Sequence, residues 1–192
     1  MKQRLLLFIT ALMLCMGTRA ATVQVIDGLK YIIYTDQNCA TLINNNYTQS
    51  EIVIPAEITW EGKTYPVTEL GKSCFSKCSG LKSVTIPSSV TSIGQRCFSG
   101  SDLASVTIPS SVTSIGEGCF SNCYSLKSIT IPTSVTSLPG SCFFECWGLT
   151  SINIPSSVTS IGDRCFYDSR LTSITIPSSI TSLGDECFRD CI

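Results

Sequence analysis

The chain has 192 residues, 43% of them hydrophobic and 14% charged, with a formal net charge of −1 and no histidine. That balance supports an apolar core and excludes a disordered chain of low hydropathy. There is no basic excess to attract nucleic acid and no acidic excess for cationic partners.

Met1-Lys2-Gln3-Arg4 precede an apolar run from Leu5 to Met16, followed by Gly17-Thr18-Arg19-Ala20-Ala21. A basic start, an apolar centre and a small-residue end are the regions of a secretory signal. Residues 1–20 are therefore read as a signal peptide cleaved near Ala20, leaving no transmembrane span in the mature chain. A span needs roughly 20 apolar residues, more than this run supplies. Cys15 opens a lipoprotein alternative, although Leu14 before it is larger than the small residue such a site needs.

Residues 21–50 read as an N-terminal β cap. Val23 to Ile26 and Leu29 to Tyr34 are β-prone runs joined by Asp27-Gly28, which favours a tight hairpin. Ala40 to Ile43 offers a third strand, and Asn44 to Ser50 reads as a loop. Asn46-Tyr47-Thr48 has the glycosylation acceptor pattern, which has meaning only in a eukaryote. A cap has a physical task, because an open solenoid end exposes unpaired strand groups and the apolar interior.

From there to the end the chain repeats. Leu81, Leu103, Leu126, Leu149 and Leu171 each open a copy of L-x-S-[VI]-[TN]-I-P-[ST]-S-[VI]-T-S-[IL]-[GP]-x-x-C-F, 22 or 23 residues apart. Such a period is that of a solenoid. Residues 51–80 read as an atypical first repeat with a hairpin inserted around Glu61-Gly62-Lys63, and 81–192 as five regular repeats. Within one unit Leu81, Val84, Ile86, Val90 and Ile93 face inward and Ser83 and Thr85 outward. Pro87 ends the first strand, and Gly94 leads into a short helical turn carrying Cys97 and Phe98. The expected fold is mainly β: a leucine-rich-repeat solenoid of stacked 22–23-residue coils with short helical turns and an N-terminal β cap. One coil cannot cover its own inner face, so the core forms only by stacking.

Through Leu126, Ile129, Ile131-Pro132, Val135, Leu138 and Cys142-Phe143, and the matching positions in other copies, the unit resembles the BspA-like leucine-rich repeats of surface and secreted proteins in bacteria and some protists. Trp60 to Val67 and Ile26 to Tyr31 also resemble the opening of such proteins. The resemblance implies a curved solenoid, a secreted or cell-surface location, and adhesion to host, matrix or other cell-surface proteins. Cys97, Cys119, Cys142, Cys165 and Cys187 stand where the family often has alanine.

Catalytic chemistry finds little support. The missing histidine removes the commonest general base and metal ligand, and Asp163, Asp185 and Glu186 read as solvated turn residues. No enzyme activity and no cofactor is expected. Of twelve cysteines, Cys15 falls in the signal and eleven remain, an odd number. Cys74/Cys78, Cys119/Cys123, Cys142/Cys146 and Cys187/Cys191 form Cys-x3-Cys pairs, whereas Cys97 and Cys165 have serine at the second place. Three readings stand: a buried ladder of small apolar residues, disulfides formed after export, or a zinc site from adjacent pairs.

Two surfaces are candidates for binding. Thr91, Thr113, Thr136, Thr159 and Thr181, beside Ser89, Ser111, Ser134, Ser157 and Ser179, form an outward hydroxyl ladder that could hold ice or a glycan, although threonine also suits exposed strands. The copies differ most after the Phe, where Tyr124, Phe144, Trp147, Tyr167 and Arg170 gather types enriched at binding hot spots; Lys82 and Lys127 lie on the strand face. A protein partner is expected, with a glycan as the alternative and no nucleic acid.

Overall fold

The computed structural model describes residues 20–191. The expected signal peptide before Ala20, including Cys15, and the final Ile192 lie outside them.

The first elements form a meander that turns into the solenoid. β1 (Ala21–Ile26) and β2 (Leu29–Tyr34) pair antiparallel, with Ile26 opposite Leu29. Asp27 and Gly28 have φ of 49° and 81°, the two left-handed residues a tight primed turn requires. β3 (Cys39–Ile43) pairs antiparallel with β2. After β4 (Glu51–Val53) come β5 (Glu57–Trp60) and β6 (Lys63–Leu70), the inserted hairpin, with Trp60 opposite Lys63. β3 also runs parallel to β6, so the meander hands its sheet on to the repeats.

Each later unit contributes a three-residue first strand and a two-residue second strand: β7 (Ser83–Thr85) and β8 (Ser92–Ile93), β9 (Ser105–Thr107) and β10 (Ser114–Ile115), β11 (Ser128–Thr130) and β12 (Ser137–Leu138), β13 (Ser151–Asn153) and β14 (Ser160–Ile161), β15 (Ser173–Thr175) and β16 (Ser182–Leu183). Prolines such as Pro87 hold the first strands short, since they have no N–H to continue a ladder. Where they pair, the strands stack in parallel and in register, Ser128 opposite Ser105 and Ile129 opposite Val106, although among the described residues the first-strand ladder is broken between β7 and β9. Period-2 alternation carries through: Val84 and Ile86 are buried while Ser83 and Thr85 are exposed. Leu81, Val90, Ile93, Cys97 and Phe98 complete the inward set. Phe75, Phe98, Phe120, Phe143, Phe166 and Phe188 form a column with ring centroids 5.3 to 5.6 Å apart, and Tyr47 lies over Phe75 at its N-terminal end.

The turn after the second strand is not helical. Among the described residues it is a chain of tight turns in which every fourth residue is left-handed, as at Ser73 and Lys77, or Ser141 and Glu145, with φ between 53° and 59°. Alternate amides divide their hydrogen bonds. Cys74, Ser76 and Cys78 donate three residues back within the turn, whereas Phe75 and Lys77 donate to Cys97 and Ser99 of the next coil. A helix would keep all of these bonds within one coil. The mixed pattern instead joins the turns of successive coils into a third ladder.

The second-strand ladder is interrupted once. It runs β6, β8, β10 and resumes as β12, β14, β16, with no pairing between β10 and β12. At this position the other coils carry a glycine whose N–H donates to the coil before, as Gly116 does to Ile93 and Gly162 to Leu138. A Cβ at Gly116 would lie 2.3 Å from the Gln95 nitrogen, so the contact admits neither a side chain nor the loss of the donor. Pro139 brings both a ring and no N–H.

Candidate binding surface

The turn places its residues in columns, because the same position of each copy falls above its predecessor. Ser76, Ser99, Ser121, Phe144, Tyr167 and Arg189 occupy the second place after the cysteine; Asp102, Tyr124, Trp147 and Arg170 the fifth. Between them the left-handed third place holds Asn122, Glu145 and Asp168. The aromatic and arginine candidates that the sequence scatters thus fall on two neighbouring columns of one lateral edge, with Lys82 and Lys127 outside them.

Tyr124 and Trp147 lie in contact, with ring centroids 4.5 Å apart, yet remain 47% and 41% exposed. Each is held by a carboxylate of the next coil. The Tyr124 hydroxyl donates to Glu145 Oε2 at 3.4 Å, and Trp147 Nε1–H to Asp168 Oδ2 at 3.4 Å. Asn122 donates to the same Glu145 oxygen at 2.8 Å. The rings are therefore oriented by fixed partners rather than left to rotate. In the other column Phe144 and Tyr167 stack at 5.1 Å, and the Arg189 guanidinium stands 6.0 Å from the Tyr167 ring.

Open cavities flank the pair. One of about 520 Å³ is bounded by Tyr124, Lys82, Lys127 and Asp102; another of about 470 Å³ by Trp147, Arg170, Asp168 and Asp190. Lys82 is paired with Asp102 at 2.5 Å. That hydrogen bond, and the lysine's charge, hold the Asp102 carboxyl below its ordinary range. Exposed pairs of this kind are worth little to stability. The structure brings Lys82, Lys127 and Tyr124 around one cavity and Trp147 and Arg170 around the other, with Phe144 and Tyr167 on the adjacent column.

The cysteines of the repeats take two inner columns, while Cys39 lies on β3 of the cap. Cys74, Cys97, Cys119, Cys142, Cys165 and Cys187 are buried, as are Cys78, Cys123 and Cys146, while Cys191 is partly covered; every described cysteine is a free thiol. Ser101 and Ser169 fill the gaps in the second column, with hydroxyls 3.6 Å and 3.3 Å from the sulfurs of Cys123 and Cys191. Cys123 and Cys146 donate their S–H to Phe98 O and Phe120 O at 3.1 Å. Burial raises the thiols of Cys97, Cys119, Cys142, Cys146 and Cys165 well above their ordinary range, and those of Cys123 and Cys187 to about 11. A buried thiol held protonated is a poor nucleophile.

The hydroxyl ladder is engaged with the backbone. Thr91, Thr113, Thr159 and Thr181 donate to carbonyls of the preceding coil at 3.2 to 3.4 Å. Ser111, Ser134, Ser157 and Ser179 do the same at 2.5 to 2.9 Å. Ser89 lies in the coil after the inserted hairpin, and its buried hydroxyl has no partner among the described residues. The donors of this face therefore bind coil to coil, which sequence alternation alone could not reveal.

Residues 68–192 match the model of the BspA type leucine rich repeat region, in six copies. The chain belongs to the BspA-type leucine-rich repeat family. Among solved structures this BspA-type chain is similar to a leucine rich cell surface protein from Faecalibacterium prausnitzii, with 31% identity and a TM-score of 0.70 over 88% of the chain and 52% of that protein. A leucine-rich repeat protein from Bacteroides ovatus gives 25% identity and a TM-score of 0.61 over 88% of the chain and 57% of its own length. The chain thus spans little more than half of either. The Treponema pallidum leucine rich repeat protein, at 23% identity and a TM-score of 0.70 over 85% of this chain and 86% of that one, shares the fold. No curated protein matches the chain. Among the described residues, no helix is long and apolar enough to cross a membrane.

Proposed function

We propose that this BspA-type repeat protein is secreted or displayed at the cell surface and is a non-catalytic binding protein. It adheres to host, matrix or other cell-surface proteins through the lateral edge of Tyr124, Trp147 and their flanking cavities. The observation that carries this reading is the exposed aromatic pair held in place by Glu145 and Asp168. Large rings whose orientation is already fixed lose little freedom on binding, and tyrosine, tryptophan and arginine dominate binding hot spots. The similarity to a cell-surface protein and the signal-like start support the location. The absence of histidine and the protonated thiols favour binding over catalysis.

Binding of the protein to immobilised matrix proteins and to intact neighbouring cells tests the reading. Saturable binding is expected, weakened by roughly 2 kcal/mol or more on replacing Tyr124 and Trp147 together with alanine, at unchanged thermal stability. Absence of saturable binding to every such surface would refute it.

A further inference from the structure

The meander covers only part of the first coil. β3 lies against β6 and so closes the second-strand ladder, whereas among the described residues the first-strand ladder begins at β4, which pairs with β7 on one side only. Lys82 and Ser83 donate to Ser50 O, and Ile54 donates to Thr85 O. Alternate residues of a strand bond to opposite neighbours. The amides and carbonyls of Glu51 and Val53 therefore point away from β7, as an open template for another strand. Val53 is 71% exposed, more than any other large hydrophobic residue described.

Beside this edge lies a cavity of about 430 Å³, apolar along Ile26, Leu29, Val53 and Ile58. Tyr31 is also on its wall, and among the described residues the buried Tyr31 hydroxyl has no hydrogen-bond partner. The charged residues that line the cavity, Asp27 and Glu57, are both acidic, and exposed Glu51 on β4 adds a third carboxylate.

We propose that the β4 edge docks an extended segment of a partner protein in which apolar residues alternate and Lys or Arg flank them. The segment adds as a strand along Glu51 and Val53, as in recognition by strand addition. One apolar side chain enters the cavity, and its basic ends meet Asp27, Glu51 and Glu57. This site lies apart from the Tyr124 edge and stands or falls independently of it.

The probe is a short fluorescein-labelled peptide of alternating valine and threonine with lysine at both ends, beside a copy with glutamate for lysine. The protein is expected to bind the lysine peptide saturably and the glutamate peptide roughly tenfold more weakly. Hydrogen exchange at Glu51 and Val53 should slow on binding. Glu57→Lys, with folding verified by its thermal transition, should narrow or reverse the preference, and Val53→Pro, which removes an outward donor, should weaken both peptides. Lack of saturable binding, protection at other strands, or an unchanged preference in Glu57→Lys would overturn the proposal. So would self-association that protects the same amides without peptide, since a second copy would then hold the edge.

Discussion

Single residues reveal where this fold tolerates imperfection. The Tyr31 hydroxyl is buried in the cap with no partner among the described residues, and desolvation, with Tyr47 and Asp27 nearby, raises its pKa. An unpaired buried hydroxyl costs about 1 kcal/mol or more, so Tyr31→Phe is expected to stabilise the unliganded protein by about that amount in denaturant unfolding. Equal or lower stability would show that the hydroxyl is satisfied in solution. The inward set was legible because alternation and burial obey one rule, and Leu81, Val84 and Ile86 declare it in sequence. The left-handed residues were not. Ser73, Lys77, Arg96 and Glu145 adopt positive φ without the glycine that normally signals it, so cysteine and phenylalanine side by side read as a helical turn. Only the bonds between coils, which the local sequence cannot express, select the other conformation.

Between elements, the continuity of the ladders sets local stability. Thr113 and Thr159 donate their amides to Thr91 and Thr136 of the coil before, but among the described residues β12, beside Pro139, pairs only with β14. Hydrogen exchange at the Thr136 amide should therefore be faster than at Thr113 and Thr159. Equal protection would mean that the coils close around Pro139 in solution. The sequence already showed that proline replaces glycine in this copy alone, yet its consequence required the pairing partner, Ile115, to be placed. The candidate edge was legible in the same partial way. Comparison of copies picked out Tyr124, Trp147 and Arg170 by their variability, while nothing in the sequence marked Glu145 and Asp168, which fix the rings. The open edge of β4 left no trace, because parallel pairing between distant residues has no local signature.

Across the whole molecule the buried thiols act together. A thiol that ionises near pH 9 in the unfolded chain but stays protonated when folded adds stability that is full below that pH and is lost as pH rises toward the folded value. Each such group steepens the loss by about 1.4 kcal/mol per pH unit. With Cys97, Cys119, Cys142, Cys146 and Cys165 all raised well above their ordinary range, unfolding free energy should fall steeply above about pH 9. Cys142→Ala should make the fall shallower. At the acid end the paired carboxylates Asp102 and Glu186, lowered by Lys82 and by Arg164 with Arg189, give the opposite sign: their contribution is present above the ordinary carboxylate range and disappears as pH falls through their lowered values. Both are partly exposed, so that effect is small and fades with salt. Alkaline stability is the property the stacked cysteines govern.

A rigid stack of coils presenting one oriented aromatic edge accounts for both the repeat and its variable column. Hydrogen-exchange footprinting of the protein bound to the matrix or cell-surface protein it retains tests this most directly. Protection should concentrate at Asn122, Tyr124, Glu145, Trp147 and Arg170, with little change along Thr113, Thr136 and Thr159. Protection of the threonine face with the aromatic edge unaltered would contradict the account.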